Sequence, residues 1–452
     1  MSRKRIRQFL AIAALIMLVV AFWPSATSLY DLTGEESLPG QVRGLIHWLY
    51  SSVRPQPDHA PAHDIDLAGV SPYGMNTFLE QEVLPEVREE ILSKLHEAGF
   101  GFIRQQFPWE DIEIHGKGDF VDKRNDPEGI GSWEKYDNIV DLAEQYDIEI
   151  IARLDNPPAW SRALTNTIGT HAPPDDFDDY ADFVEAVVSR YQGRIQYYQL
   201  WNEPNIYPEW GEQPVDPEAF TQLLCSGYQR AKEVDPDSVI LAGALSPTIA
   251  LDSRDLNDLV FMQRMYDAGV VDCFDILSAQ GYGLWSGPTD QRLRPTVINY
   301  AHAVLLRDLM VANDDAQKAI WISEAGWNTV PESMDDPYGR VSDEEQARYA
   351  VQAYERAQSE WPWAGVVNYW FFKRPSDAEK DQPWYYFRLL EPDFEPSLAW
   401  SSLSEYTSAG EPTSVNSGLS FTHQRIRPVL ALAGGAILFF IILGYLSPKR
   451  DS

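Results

Sequence analysis

Cysteine is almost absent from this sequence. Only Cys225 and Cys273 occur, too few for a disulfide scaffold or a cysteine-based zinc site. Cys225 lies in a helical pattern and Cys273 just before a strand pattern, so two buried free thiols are expected rather than a single bridge. The eight histidines show neither HExxH nor HxH spacing, which removes the usual zinc-hydrolase signature. Basic charge is also scarce. Thirty-six Lys and Arg face 68 Asp and Glu, a formal net charge of -32. A nucleic-acid partner needs basic patches, and the long-range field here repels polyanions. Neutral and cationic substrates fit that field. No long block of one charge sign replaces the apolar pattern, so global disorder is excluded as well.

What is present is a large apolar inventory. Of 452 residues, 44% are hydrophobic and 12% aromatic, enough for an extensive core. At about 150 residues per domain the naive count is three, but α/β barrels of larger size form one domain. Both ends carry apolar runs. Arg3-Lys4-Arg5-Ile6-Arg7 precedes Phe9 to Trp23, the order of an export signal. No A-x-A site follows, so an uncleaved signal anchor over 1–29 is favoured over a cleaved peptide. Val429 to Leu446 is a second run, flanked by Arg425 and Arg427 before it and by Lys449-Arg450 after it. Its length is near the spanning minimum for a ~30 Å hydrocarbon core. The expected organisation is an anchor over 1–29, a stalk over 30–68, a catalytic domain over 69–406, a linker over 407–428, a transmembrane helix over 429–446 and a short tail over 447–452. The basic N-terminus should remain cytoplasmic, which puts the catalytic domain outside and makes the lipid bilayer a partner. Within the stalk, Gly44 to Tyr50 reads as an amphipathic surface helix.

Between 69 and 406, short apolar runs alternate with helical patterns. Strands are expected at Val70–Asn76, Phe102–Gln106, Ile148–Leu154, Ile195–Trp201, Val239–Gly243, Ile276–Tyr282, Ala319–Ser323 and Val366–Phe371. Each is short and rich in β-branched or aromatic residues, as strands buried on both faces should be. Phe177, Tyr180, Phe183, Val184, Val187 and Tyr191 form a helical stripe. Ser342-Asp343-Glu344-Glu345 reads as a capping box, and Pro217–Val234, Asp255–Ala268 and Thr296–Ala312 fill other gaps. Eight such repeats predict an α/β fold, a (β/α)8 TIM barrel flanked by N-terminal and C-terminal transmembrane segments. A doubly wound open sheet is the alternative, but no GxGxxG follows the first strand. In a barrel the catalytic residues sit at the C-terminal ends of the strands.

Two carboxylates stand at such ends. The fourth strand runs into Trp201-Asn202-Glu203-Pro204-Asn205, and the seventh into Ser323-Glu324-Ala325-Gly326-Trp327. Facing carboxylates, one protonated and one ionised, are what glycosidic bond cleavage requires. These motifs resemble the clan A glycoside hydrolases, with the cellulase-like and β-xylosidase-like families nearest, over roughly residues 69–406. The resemblance implies Glu203 as acid/base and Glu324 as nucleophile of a retaining double displacement, with the carboxyl groups ~5–5.5 Å apart. It implies a strand-two arginine, Arg104, beside the nucleophile. It also implies Asn202 at a sugar 2-hydroxyl, Tyr282 donating to Glu324, and Trp370 stacking on a pyranose. Gln280 stands where many clan members carry His. Asp155, Asn156 and Trp160 in Asp155-Asn156-Pro157-Pro158-Ala159-Trp160, and Trp327 after Glu324, are further candidates at the sugar site, although turn chemistry alone accounts for Asp-Asn-Pro-Pro.

The implied function is a membrane-anchored retaining glycoside hydrolase acting outside the cytoplasm on a β-linked, largely neutral oligo- or polysaccharide. No metal or organic cofactor is implied. A surface transglycosylase and a catalytically inactive carbohydrate-binding barrel are the alternatives. Asp175-Asp176-Phe177-Asp178-Asp179 reads as an acidic first helical turn rather than a calcium site, and His171 as a loop residue. The sugar, the choice of exo or endo action and the oligomeric state are not encoded in any motif.

Overall fold

The structure is a computed structural model that describes residues 3–21, 29–53, 65–409 and 434–443. Eight parallel strands close a barrel in sequence order: β1 (Tyr73–Thr77), β2 (Phe102–Gln106), β3 (Glu149–Leu154), β4 (Tyr197–Asn202), β5 (Val239–Leu245), β6 (Ile276–Gln280), β7 (Ile320–Ala325) and β8 (Ala364–Tyr369). Tyr73 pairs with Val367 and closes the ring. All eight expected strands form. The first starts three residues later than expected, at Tyr73, because Pro72 has no N–H to give to a ladder. The residues before it do something else. Ile65, Leu67, Ala68 and Val70 pack under the barrel against Phe102, Tyr197, Trp321 and their neighbours, and the Trp321 indole donates to the Leu67 carbonyl at 2.9 Å. They plug the N-terminal end of the barrel.

Helices cover the outside. The Phe177 stripe becomes the helix Phe177–Arg190, which buries Tyr180, Phe183, Val184 and Val187 and is capped by Asp176 accepting from the Asp178 N–H. Pro217–Val234 is helical over its whole expected length. Ser342 and Glu345 exchange both capping-box hydrogen bonds at the start of Asp343–Glu360. A two-stranded ribbon, Val121–Asp122 with Ile130–Gly131, decorates the loop after β2.

Two expectations are corrected. Cys225 and Cys273 are not free thiols. They form a disulfide with Cα atoms 4.7 Å apart, because the helix Pro217–Val234 packs beside the turn that leads into β6. The flanking transmembrane segments also differ from expectation. No helix among the described residues is long and apolar enough to cross a membrane. The helix Arg3–Ala21 spends its first turns on Arg3, Lys4, Arg5 and Arg7, and the helix over 434–443 falls short of the roughly 20 apolar residues a span needs. The rest of the expected 429–446 run lies outside the described residues, as do 54–64 of the stalk and 410–428 of the linker. Within the stalk, the expected amphipathic stretch forms the helix Leu38–Val53. The short helix Leu29–Thr33 docks on the barrel, where Asp31, Leu32 and Thr33 are buried.

Candidate active site

Side chains alternate across a strand, so positions two apart share the barrel interior. On β2 this sends Phe102 to the apolar floor and Arg104 to the layer above it. Arg104 is 2% exposed, and each of its three nitrogens donates. Its Nη1 donates to Glu324 Oε1 at 2.8 Å and to Asn76 Oδ1 at 2.9 Å, Nε donates to Gln199 Oε1 at 2.8 Å, and Nη2 donates to Asn202 Oδ1 at 2.7 Å. One guanidinium thus ties β1, β2, β4 and β7 together beneath the cleft.

Two local irregularities aim the glutamates. Trp201 has φ +74° and Glu203 φ +42°, conformations that L residues rarely adopt. They break the alternation of β4, so that Asn202 rather than Trp201 meets Arg104, while Trp201 turns outward onto Tyr180 and Trp210. Between β6 and β7 the register shifts from Ala279↔Ile322 to Gln280↔Glu324. That bulge turns Glu324 inward although Ser323, one residue earlier, also contacts the interior through Gln199.

The two carboxylates meet different surroundings. Glu324 is held by Arg104 on one oxygen and by the Tyr282 hydroxyl on the other. Burial, followed by the Glu324 and Glu203 charges, pushes the Tyr282 pKa well above its ordinary value, so Tyr282 remains a donor. Among the described residues no cation pairs with Glu203. Its pKa is pushed up to about 8, first by burial, then by the charges of Glu324 and Glu209, with hydrogen bonds from Gln280 and Ser246 opposing. Gln280 Nε2 donates to Glu203 Oε1 at 3.0 Å. Glu203 is therefore arranged to hold a proton near neutral pH, while Glu324 is clamped between a cation and a hydroxyl donor.

The cleft above them has a volume of about 900 Å3. Asn202, Glu203, Tyr282, Glu324, Trp370 and Asn156 all line it. Trp370 packs edge-on to Phe78 and precedes a cis peptide bond to Phe371. Asn156, with φ +53°, is 3.0 Å from His171 Nδ1 through its Oδ1. Asp155 instead pairs with Arg153 at 2.8 Å and accepts from Gln106 at 2.7 Å. Of the residues expected at the sugar site, Asp155, Trp160 and Trp327 do not line the cleft, and Arg104 lies beneath it. Trp160 donates to the Glu113 carbonyl and packs on Trp109, and Trp327 is fully buried with its indole bonded to the Ser286 carbonyl. In both cases a backbone acceptor in a neighbouring loop satisfies the indole N–H.

Sequence reasoning missed Glu209. It lines the cleft six residues after Glu203, and its pKa is raised to about 7, chiefly by burial, with Arg153 opposing. The signal was its place in a proline-bounded loop after β4, on the catalytic face. It also set aside His171 and missed Tyr338 and Trp384, which reach the cleft from the loops after β3, β7 and β8. Nothing in those loops has a periodicity that fixes direction.

No family model and no curated protein matches this sequence. Solved structures do. A family 39 glycoside hydrolase from Bacteroides cellulosilyticus superposes with a TM-score of 0.53 at 21% identity, over 75% of this chain and 63% of its own. A monomeric β-xylosidase from Caulobacter crescentus gives 0.53 at 16% identity, over 76% of this chain and 69% of its own. A glucosidase from Croceicoccus marinus gives 0.53 at 14%, with 76% and 69% covered. The chain thus spans just under two thirds of the first of these and somewhat more of the others. At such identities the likeness shows a shared (β/α)8 fold.

Proposed function

We propose that this protein is a retaining glycoside hydrolase that cleaves β-linked, largely neutral glycans. One observation carries the reading. Two glutamates at the ends of β4 and β7 share one cleft, one in surroundings that protonate it and the other clamped by Arg104 and Tyr282. In the first step a Glu324 oxygen attacks the anomeric carbon, the bond to the leaving oxygen breaks, and the Glu203 proton moves to that oxygen. In the second step Glu203, now ionised, takes a proton from water. The water oxygen bonds to the anomeric carbon and Glu324 leaves. In this reading Asn202 meets the sugar hydroxyl beside the reacting carbon and Trp370 the apolar face of the ring; both line the cleft. The similar structures whose names include a β-xylosidase and a glucosidase support this substrate class.

The test uses the full chain and a panel of aryl β-glycosides. The expected result is turnover of at least one, loss in Glu324→Ala, and recovery with azide as an α-glycosyl azide. Turnover that survives Glu324→Ala would refute the assignment.

We further propose that the catalytic domain works outside the cytoplasm, held at a membrane by its apolar ends. The basic-then-apolar N-terminus supports export, and the Cys225–Cys273 bridge suits an oxidising compartment. The two apolar ends also meet each other, since a Cβ at Gly435 would lie 3.1 Å from the Met17 sulfur. Fractionation checks this. The chain should stay with membranes through an alkaline wash, and added protease should reach the barrel in cells stripped of their wall.

A further inference from the structure

A second pocket, of about 400 Å3, opens beside the cleft above the loop that follows β6. That volume lies within the range of small-ligand sites. The loop supplies one wall through Gly283, Trp285 and Arg292, and the N-terminal segment supplies the other through Tyr30 and Glu35. The pocket continues the cleft, because Ile298 lines both and Leu284, between Gly283 and Trp285, lines the cleft.

The N-terminal wall is fastened to the loop. The Tyr30 hydroxyl donates to the Trp285 carbonyl at 2.6 Å, the Thr289 hydroxyl to the Asp31 carbonyl at 2.8 Å, and the Gln291 N–H to the Leu32 carbonyl at 2.9 Å. Arg348 pairs with the buried Asp31 carboxylate at 3.1 Å. Gly34 has φ +59°, a backbone conformation that favours glycine, and it passes directly over the Arg292 guanidinium.

The lining has the chemistry of sugar recognition. Trp285 is 49% exposed and offers a broad apolar face. Around it Glu35, Glu36, Ser37 and Arg292 supply acceptors and donors for hydroxyl groups. Arg292 is already engaged by Asp290 at 2.7 Å, and two glutamates line the same pocket, so an anionic sugar is disfavoured.

We propose that this pocket is a distal subsite, completed by the N-terminal segment, that binds a neutral sugar unit of an oligosaccharide whose scissile bond lies at Glu203 and Glu324. The proposal rests on the glycosidase reading, and it makes oligosaccharides rather than short glycosides the preferred substrates.

The test compares the full chain in detergent with Trp285→Ala and Trp285→Phe. Neutral β-linked tetra- to hexasaccharides of glucose, xylose and mannose serve as probes, alongside aryl monoglycosides. The ratio of kcat/KM for the oligosaccharide to that for the monoglycoside should fall about ten-fold in Trp285→Ala, the worth of one aromatic contact. Trp285→Phe should restore part of it. Calorimetric binding of the same oligosaccharides to Glu324→Ala should weaken by a similar factor when Trp285→Ala is added. An unchanged ratio, or equal losses on both substrate classes, overturns the proposal. If the wild-type chain hydrolyses nothing, the glycosidase reading falls and calorimetry still decides the subsite. Oligosaccharide binding that depends on Trp285 upholds it, and absence of binding overturns it.

Discussion

Glu203 and Glu324 have the same side chain and different neighbours: an amide and another carboxylate near the first, a guanidinium and a phenol on the second. As the proposed acid, Glu203 must be protonated, so activity is present below its pKa and is lost as pH rises through about 8. The Glu209 charge contributes to that elevation. Glu209→Gln should therefore lower the Glu203 pKa and move the alkaline limb of the kcat/KM profile to lower pH, which a pH–rate series reads directly. Arg104 acts by position as well as by charge. Replacing it with leucine leaves Glu324 buried without its cation, a change that typically costs about 3–5 kcal/mol. Denaturant unfolding should show that loss, and turnover should fall with it.

Among the elements, β4 shows most clearly how a strand becomes a site. Its alternation places Tyr197 and Gln199 inside, and the positive φ at Trp201 then exchanges the next pair, so that Asn202 faces the cleft. Apolar patterning revealed the strand and could not reveal that reversal, which is a backbone event. The capping box at Ser342 was legible because it is local, with both bonds lying within three residues. Ser342→Ala should cost about 1 kcal/mol in unfolding free energy without altering KM. The disulfide was not legible, since the 48-residue separation of its cysteines says nothing of whether their elements touch. Closing a loop of that length limits the unfolded chain, so reduction should lower stability by about 2–4 kcal/mol, seen as a lower melting temperature in dithiothreitol.

At the scale of the whole molecule, closure and charge dominate. The β1–β8 pairing joins the two ends of the barrel and leaves no exposed strand edge in the ring. The chain as a whole carries a net charge of -32, which repels itself. Salt screens such repulsion, so the melting temperature should rise by a few degrees between low and moderate ionic strength, measured by scanning calorimetry at fixed pH. The terminal helices leave apolar residues exposed, Phe9, Ile12, Leu15 and Ile441 among them.

Local pattern was enough for the eight strands, the helical stripes between them and the two strand ends that carry Glu203 and Glu324. These signals repeat at the period of the backbone, and burial on both faces requires them. The rest came from chain closure: that Trp160 and Trp327 turn away from the cleft, that Glu209 and His171 turn into it, that Cys225 meets Cys273, and that the segment around Tyr30 is fastened to the loop after β6. Each of these depends on which distant acceptor, charge or helix stands opposite a side chain. Such partners come together only when the chain closes, and no local pattern encodes them.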